Sequence, residues 1–330
     1  METLILTDDE VKKLLSMNEV MEAVEQAFRE KGLGLVQMPA KLYLFYQKYG
    51  GDLRVMPSYL EKLDISAVKI VNSHPNNRTK YNLPTVMAVI ALIDPRNGIP
   101  FAIMGGKTIT DMRTGAAGGL AAKYLARKDS KIVGLIGAGA QARTQFIGLL
   151  EVYKKLEEVR VWSPDPTKEE FLAEMEPRYG HLCKLTAVET VEEAVNDADI
   201  VVTVTPSRKP LVMEHMISLG THFNCIGADA PGKQEVDPAI LRQAKIVVDD
   251  WEQASHSGEI NVPLSRGIIT KENVWAEIGE IVAGLKPGRE RQDEITIFTS
   301  TGLAVQDAVT AKIAYNKAIE KKVGRFIKIT

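Results

Sequence analysis

The sequence predicts an α/β fold in two parts: a doubly wound parallel sheet in the second half, and a discontinuous α+β domain assembled from both ends of the chain. Three observations carry this. From Lys131 onward short apolar runs alternate with helical periods, the pattern of parallel strands joined by crossover helices. Between residues 38 and 93 strand-like runs instead follow one another with Gly, Pro, Asn and Asp between them. A last amphipathic helix, over residues 301–322, is expected to cross back and complete the first domain. The predicted domains are thus residues 1–128 with 305–330, and residues 129–304.

The elements follow in order. Residues 4–6 make a short strand, and Thr7 with Glu10, then Ser16 with Glu19, have capping-box spacing ahead of two helices. Val20, Ala23, Val24, Ala27 and Phe28 line one face of the second helix, which Gly32 and Gly34 end. Strands are expected at 42–46, 53–56, 66–71 and 85–93, and the turn at 94–98 folds 99–104 back as a hairpin, giving an antiparallel sheet. Residues 112–125 are rich in Ala and other small residues, which predicts a helix packed very closely on a neighbour, and Lys128-Asp129-Ser130 reads as the hinge. Beyond it strands are expected at 131–136, 159–163, 184–188, 199–205, 222–227, 245–249 and 294–299. Helices are expected near 139–153, 167–176, 189–196, 211–218, 238–243 and 274–284.

Bulk properties narrow the function. A chain of 330 residues has room for about two domains. A net charge of −2 and a pI near 6.3 give no general pull towards nucleic acid or an anionic membrane, so a small molecule is the expected partner. Cys183 and Cys225 are too few for a disulfide framework, which fits a reducing cytoplasm. Apolar runs such as 200–204 fall far short of the ~20 residues that span a bilayer, and residues 1–6 are acidic and too short for a secretory signal. His74, His181, His215, His222 and His256 form no metal-type spacing, and no GxSxG elbow is present. Hydride transfer remains by elimination, with a cofactor supplying the reactivity.

The stretch that points to such a cofactor is 131–142. A buried strand runs straight into Gly137, Gly139 and Ala142, which suit in turn the tight turn, close approach of a pyrophosphate, and helix-to-strand packing. Phosphates would sit on free amides at the helix start. Ala142, Phe146, Leu149, Leu150 and Tyr153 then give that helix one apolar face. At the end of the second strand stand Ser163 and, two residues on, Asp165. No Arg lies beside them for a 2′-phosphate, so NAD is favoured and NADP possible. Asp165 is equally readable as an Asx-turn residue. Thr203, Thr205 and Ser207 follow the fourth strand, and the loop from Gly227 through Ala228 and Asp229 to Lys233 follows the fifth, at the sheet edge where α/β proteins place ligands.

Lys69 lies inside an apolar strand, on the same face as Ala67 and Val71. It is either a proton-exchanging amine in a desolvated pocket or an edge lysine that blocks aggregation. Lys41, Arg54 and Arg113 are further cations that a small carboxylate would need.

Several stretches together resemble the ornithine cyclodeaminase/μ-crystallin family of NAD(P)-dependent enzymes. They are residues 67–72, 83–85, 107–110 with 113–117, the glycine turn, 227–235, and 249–250 with 252–254; residues 38–41, 51–57, 72–75 and 205–210 are most similar to its archaeal-type alanine dehydrogenase branch. The resemblance implies a homodimer whose first domains join sheets, and a cleft between each first domain and its Rossmann NAD(P)-binding domain. It places the acid/base lysine on Lys69, the loop aspartate on Asp229 and the substrate carboxylate on Arg54 and Arg113 with Lys41 nearby. Cofactor contacts would fall on Thr85, Arg113, Thr114, Ala140, Gln141, Lys233 and Ser300. The implied reaction is reversible oxidative deamination of L-alanine to pyruvate and ammonia. The alternatives are ornithine cyclodeamination, NADPH-dependent ketimine reduction, or a crystallin-like protein that binds nucleotide without turnover. Three departures stand out: Ser163 replaces an acid common at the second strand end, Met56 replaces an acid of the cyclodeaminase branch, and Gly105-Gly106 replaces a common Asp-Gly.

Overall fold

Residues 2–329 are described in the computed structural model. Their contacts separate the chain into two units, one running to Arg113 and resuming at Leu303, the other Thr114–Gly302. The division falls inside a helix, Lys107–Leu125, whereas the composition at 128–130 reads as a hinge. The cause lies in the small residues of the helix's later turns. A Cβ on Gly115 would stand 2.2 Å from the Thr144 carbonyl oxygen, and one on Gly148 would stand 2.3 Å from that of Gly115, so the helix Ala140–Tyr153 meets this one backbone to backbone. Gly115→Ala is expected to destabilise the protein by about 1–3 kcal/mol, as overpacking does, which a thermal melt would read.

The first unit is built on β1 (Glu2–Leu6), β2 (Val36–Gln37), β3 (Leu42–Tyr46), β4 (Gly51–Leu60), β5 (Ile65–Ser73), β6 (Val86–Ile93) and β7 (Pro100–Gly105). β3 to β7 pair antiparallel in sequence, as the hairpin spacing predicts, and β2 pairs β4. The sheet is nevertheless mixed, because β1 lies parallel beside β7. Parallel pairing needs a long connection, and the whole of β2 to β6 lies between these two strands. The helices Met17–Gly32 and Ala304–Lys321 pack on one another, and the latter also covers β4 and β5. Gly105 is explained by crowding: a Cβ there would lie 2.7 Å from the backbone nitrogen of Asp8. Asp8 in turn accepts from the Thr108 amide (2.9 Å) and hydroxyl (2.7 Å), capping the helix Lys107–Leu125 from a distance.

The second unit holds β8 (Ile132–Ile136), β9 (Glu158–Trp162), β10 (Lys184–Ala187), β11 (Ile200–Thr203), β12 (His222–Cys225), β13 (Lys245–Val248), β14 (Val274–Glu277) and β15 (Thr296–Thr299). All pairs are parallel, in the order β10-β9-β8-β11-β12-β15-β13-β14. This is a doubly wound sheet whose order reverses at β8 and β11, where such folds open their ligand crevice. A last strand, β16 (Arg325–Lys328), returns to the first sheet antiparallel to β1.

Some expectations are corrected. Residues 274–277 are a strand pairing with β13, and only Ile278–Val282 is helical, because a four-residue stretch is too short to carry a distinguishing period. The expected helix at 211–218 is one turn, Glu214–Met216; the amides of Leu211 and Val212 donate to the Glu235 carbonyl (2.7 and 3.1 Å), holding that stretch extended. The helices Asn77–Tyr81, Trp251–Ser257 and Asn261–Ser265, and β16, were not expected from pattern. Among the described residues, no helix is long and apolar enough to cross a membrane.

Candidate active site

Alternation along β5 buries Lys69 on the same face as Ala67 and Val71 while Ile70 points out. The amine is 1% exposed, so the edge-lysine reading fails. It needs a counter-charge, and the helix Ala304–Lys321 supplies it. Asp307, in the first turn of that helix, places Oδ2 2.6 Å from Lys69 Nζ and Oδ1 3.0 Å from Arg113 Nε. Arg113 is itself buried and also donates from Nη1 to Gln306 Oε1 (3.2 Å). One carboxylate thus holds two buried cations, leaving the cluster with net positive charge.

Burial, together with that imbalance, sets the chemistry of Lys69. Burial disfavours its ammonium form, the Arg113 guanidinium and Lys41 repel it, and Asp307 only partly restores it, so its pKa falls from the ordinary lysine range to about 7. A half-protonated amine at neutral pH can both take and give a proton. Lys41 joins the group electrostatically. Arg54 is held differently. It shares the Lys69 face, since it pairs across from Val71, but its guanidinium bonds Asp52 (3.1 and 2.9 Å) and lies 5.4 Å from the centre of the Tyr43 ring. Met56 lies directly opposite Lys69 and is buried with Val71 and Ala304, an apolar wall beside the amine.

In the second unit the remaining residues line the carboxyl edge of the parallel sheet. Gly137 has φ +104°, which an L side chain rarely adopts, and a Cβ would press on the Val204 carbonyl. Gly139 caps the helix Ala140–Tyr153 with no side-chain bond to its amides, and a Cβ there would meet nothing within 4 Å. Gly139 and Ala140 are exposed and Gln141 half-buried. An open helix start with a bare backbone fits a dinucleotide pyrophosphate. After β9, the Asp165 carboxylate accepts from Ser163 Oγ (2.8 Å) and the Thr167 amide (3.1 Å), so it makes the Asx turn. Lys168 is buried on the Val188 carbonyl and Glu189.

Thr205, Ala228 and Ser300 are buried, and Gly227, Asp229 and Lys233 half-buried. Asp229 pairs with Lys233, which also donates to the Gly227 carbonyl. Ser300 Oγ donates to Asp249 (3.3 Å), which also accepts from the amides of Thr301 (2.6 Å) and Gly302 (2.8 Å). Thr114 gives its carbonyl to Gln145 Nε2 (2.7 Å). Thr85 is exposed and stands outside the Lys69 cluster, its carbonyl accepting from the His74 amide (2.8 Å).

Sequence reasoning missed Asp307 and Gln306. A signal existed, because Asp307 falls one turn from Ala304 and Ala311 on the apolar face of the last helix, where an acid needs a buried partner.

Residues 1–322 match the sequence model of the ornithine cyclodeaminase/mu-crystallin family. The chain belongs to that family. It is 52% identical over 329 residues, 99% of each chain, to the alanine dehydrogenase of Archaeoglobus fulgidus. Family members also match in structure. An archaeal alanine dehydrogenase dimer with bound NAD superposes with a TM-score of 0.95 at 51% identity, covering 100% of both chains. The Δ1-pyrroline-2-carboxylate reductase of Thermococcus litoralis, in complex with NADH and L-proline, gives 0.95 at 44% identity, covering 98% of this chain and 100% of that one.

Proposed function

We propose that this chain is an NAD-dependent alanine dehydrogenase that interconverts L-alanine with pyruvate and ammonia. The observation that carries the reading is the buried Lys69 amine, with a pKa near 7, held on Asp307 beside Arg113 in a chain so similar to such an enzyme. NAD, when bound at the glycine turn, supplies the acceptor for the hydride that leaves Cα. The chain's own residues do the rest. Arg113, Arg54 and Lys41 bind the carboxylate and fix Cα in place. Neutral Lys69 takes a proton from the alanine ammonium group, giving the free amine whose lone pair expels the hydride as the imine forms. Asp229 orients the water that attacks the imine carbon, and ammonia leaves. The cofactor is held by Gly137, Gly139, Ala140, Gln141, Ser163, Thr205, Ala228, Lys233 and Ser300, with Thr85, Thr114 and Asp165 as further contacts. The unit running to Arg113 and resuming at Leu303 forms the substrate-binding and dimerisation domain, and the unit Thr114–Gly302 carries the nucleotide.

The Met56 wall supports a small apolar side chain over a diamine, which would need an acid for its distal amine. The test is direct. Alanine with NAD should accumulate NADH, and pyruvate with ammonia should consume it. The similarity to the Thermococcus litoralis reductase supports a second reading, reduction of a cyclic imino acid; consumption of NADH with Δ1-pyrroline-2-carboxylate and none with pyruvate and ammonia would establish it instead.

The same domain supports a homodimer. On the sheet face opposite Lys69, Leu42, Val55, Ile70 and Val89 pair directly across β3 to β6. Leu42, Leu44, Ile70, Met87 and Val89 are exposed there, an apolar surface suited to a second copy of this chain. Ile70→Asp is expected to shift the protein to monomer, read by light scattering; a dimer that persists would remove this face from the interface.

A further inference from the structure

We infer that Glu235 is a positioning residue, whose carboxylate ties together the two loops that lie beside the reactive end of the cofactor. This rests on the nucleotide-binding reading above. Glu235 is completely buried. Its Oε1 accepts from both the amide (2.6 Å) and the hydroxyl (2.7 Å) of Thr205, after β11, and its Oε2 accepts from the amide of Gly227 (3.0 Å), after β12. One side chain therefore joins consecutive loops at the carboxyl edge of the sheet.

The join is tight. A Cβ on Gly227 would stand 2.3 Å from the Thr205 carbonyl oxygen and 2.5 Å from Glu235 Oε2, so only glycine fits where the loops meet. On its other side the β11 loop backs the phosphate turn, since a Cβ on Gly137 would be 3.0 Å from the Val204 carbonyl. Asp229 stands two residues past Gly227, and its placement follows from that loop.

Glu235 is anchored in turn. The amides of Glu235 and Val236 donate to Glu259 Oε1 (2.8 and 2.7 Å), and the amide of Glu259 donates to Thr299 Oγ1 (2.8 Å) at the end of β15. Glu259 Oε2 is buried without a hydrogen-bond partner. Burial raises both carboxyl groups, Glu235 to about 7, while the Thr205 amide and hydroxyl and the Gly227 amide favour the charged form of Glu235. An apolar side chain of equal size would leave the Thr205 and Gly227 amides without this acceptor. What a carboxylate adds is direction, because its bonds define how the Thr205 and Gly227 loops face each other.

The experiment compares two ligands on the full-length protein: NADH, and ADP-ribose, which lacks the nicotinamide. Glu235→Gln keeps the size but turns an amide donor towards donors. It is expected to weaken NADH by about 10-fold, the weight of one bond to a charged group, and to lower kcat, with ADP-ribose affinity unchanged. Equal weakening of both ligands, or unchanged NADH binding and kcat, would overturn the proposal. Should Glu235→Gln fail to fold, Glu235→Asp keeps the charge but draws it back from the Thr205 and Gly227 donors, and is judged by the same contrast. The binding comparison does not depend on the substrate. A wild type that binds NADH but oxidises no alanine would overturn the substrate reading and leave the role of Glu235 to be decided by the two affinities.

Discussion

Lys69→Ala is expected to lower kcat for alanine oxidation by about 1000-fold, within the range that general acid/base groups contribute, while NADH binds as in the wild type. The expectation follows from where the amine sits. It is buried on the face of β5 that Asp307 and Arg113 share, and burial with the Arg113 charge brings its pKa to about 7. Oxidation needs the neutral amine, so the wild-type kcat should rise with pH through about 7 and level off above it, and this limb should vanish in the residual activity of Lys69→Ala. Lys69→Arg should not rescue, since a guanidinium does not release its proton. Retained turnover in Lys69→Ala, or loss of NADH binding with it, would mean that the proton passes elsewhere.

Asp307→Asn is expected to cost about 3 kcal/mol of stability, the low end for breaking a buried ion pair, and to move the acid limb of kcat below pH 7. Both follow from one geometry, in which each carboxylate oxygen meets one buried cation. Asp307 raises the Lys69 pKa against burial, so its removal lowers that pKa further. The sign for stability is fixed by linkage. An amine whose folded pKa lies under its unfolded value of 10.5 penalises the fold fully below the folded pKa, and the penalty fades as pH rises towards the unfolded one. A deeper depression adds to that penalty only at pH values below about 7, so the difference in melting temperature between Asp307→Asn and wild type should be wider at acid pH. An acid limb that moves upward, or a difference that narrows below neutrality, would contradict the arrangement.

Much of the fold was legible from order alone, and the reasons are particular. The run from Lys131 to Ala142 was readable because strand, turn and helix each leave a local trace: continuous apolar residues, a glycine where φ turns positive, and an i, i+4 stripe. Lys69 could be placed on a face because alternation along β5 is unbroken. Residues 211–218 misled because their composition suits a helix while two hydrogen bonds from Leu211 and Val212 to Glu235 hold the start of the stretch extended. Nothing within residues 274–277 distinguishes a strand from a helix turn; pairing with β13 made the choice.

The amino-acid sequence by itself determined the alternating parallel sheet, the phosphate-type turn, and which side of β5 carries the lysine, because each is a property of neighbours along the chain. Tertiary structure alone decided that Asp307 meets Lys69 and Arg113, and that Glu235 spans Thr205 and Gly227. Arg113 and Asp307 are 194 positions apart, and a contact across that separation leaves no period in the sequence. It arises when the returning helix buries an acid that water no longer solvates, and the two buried cations supply the partners that water did.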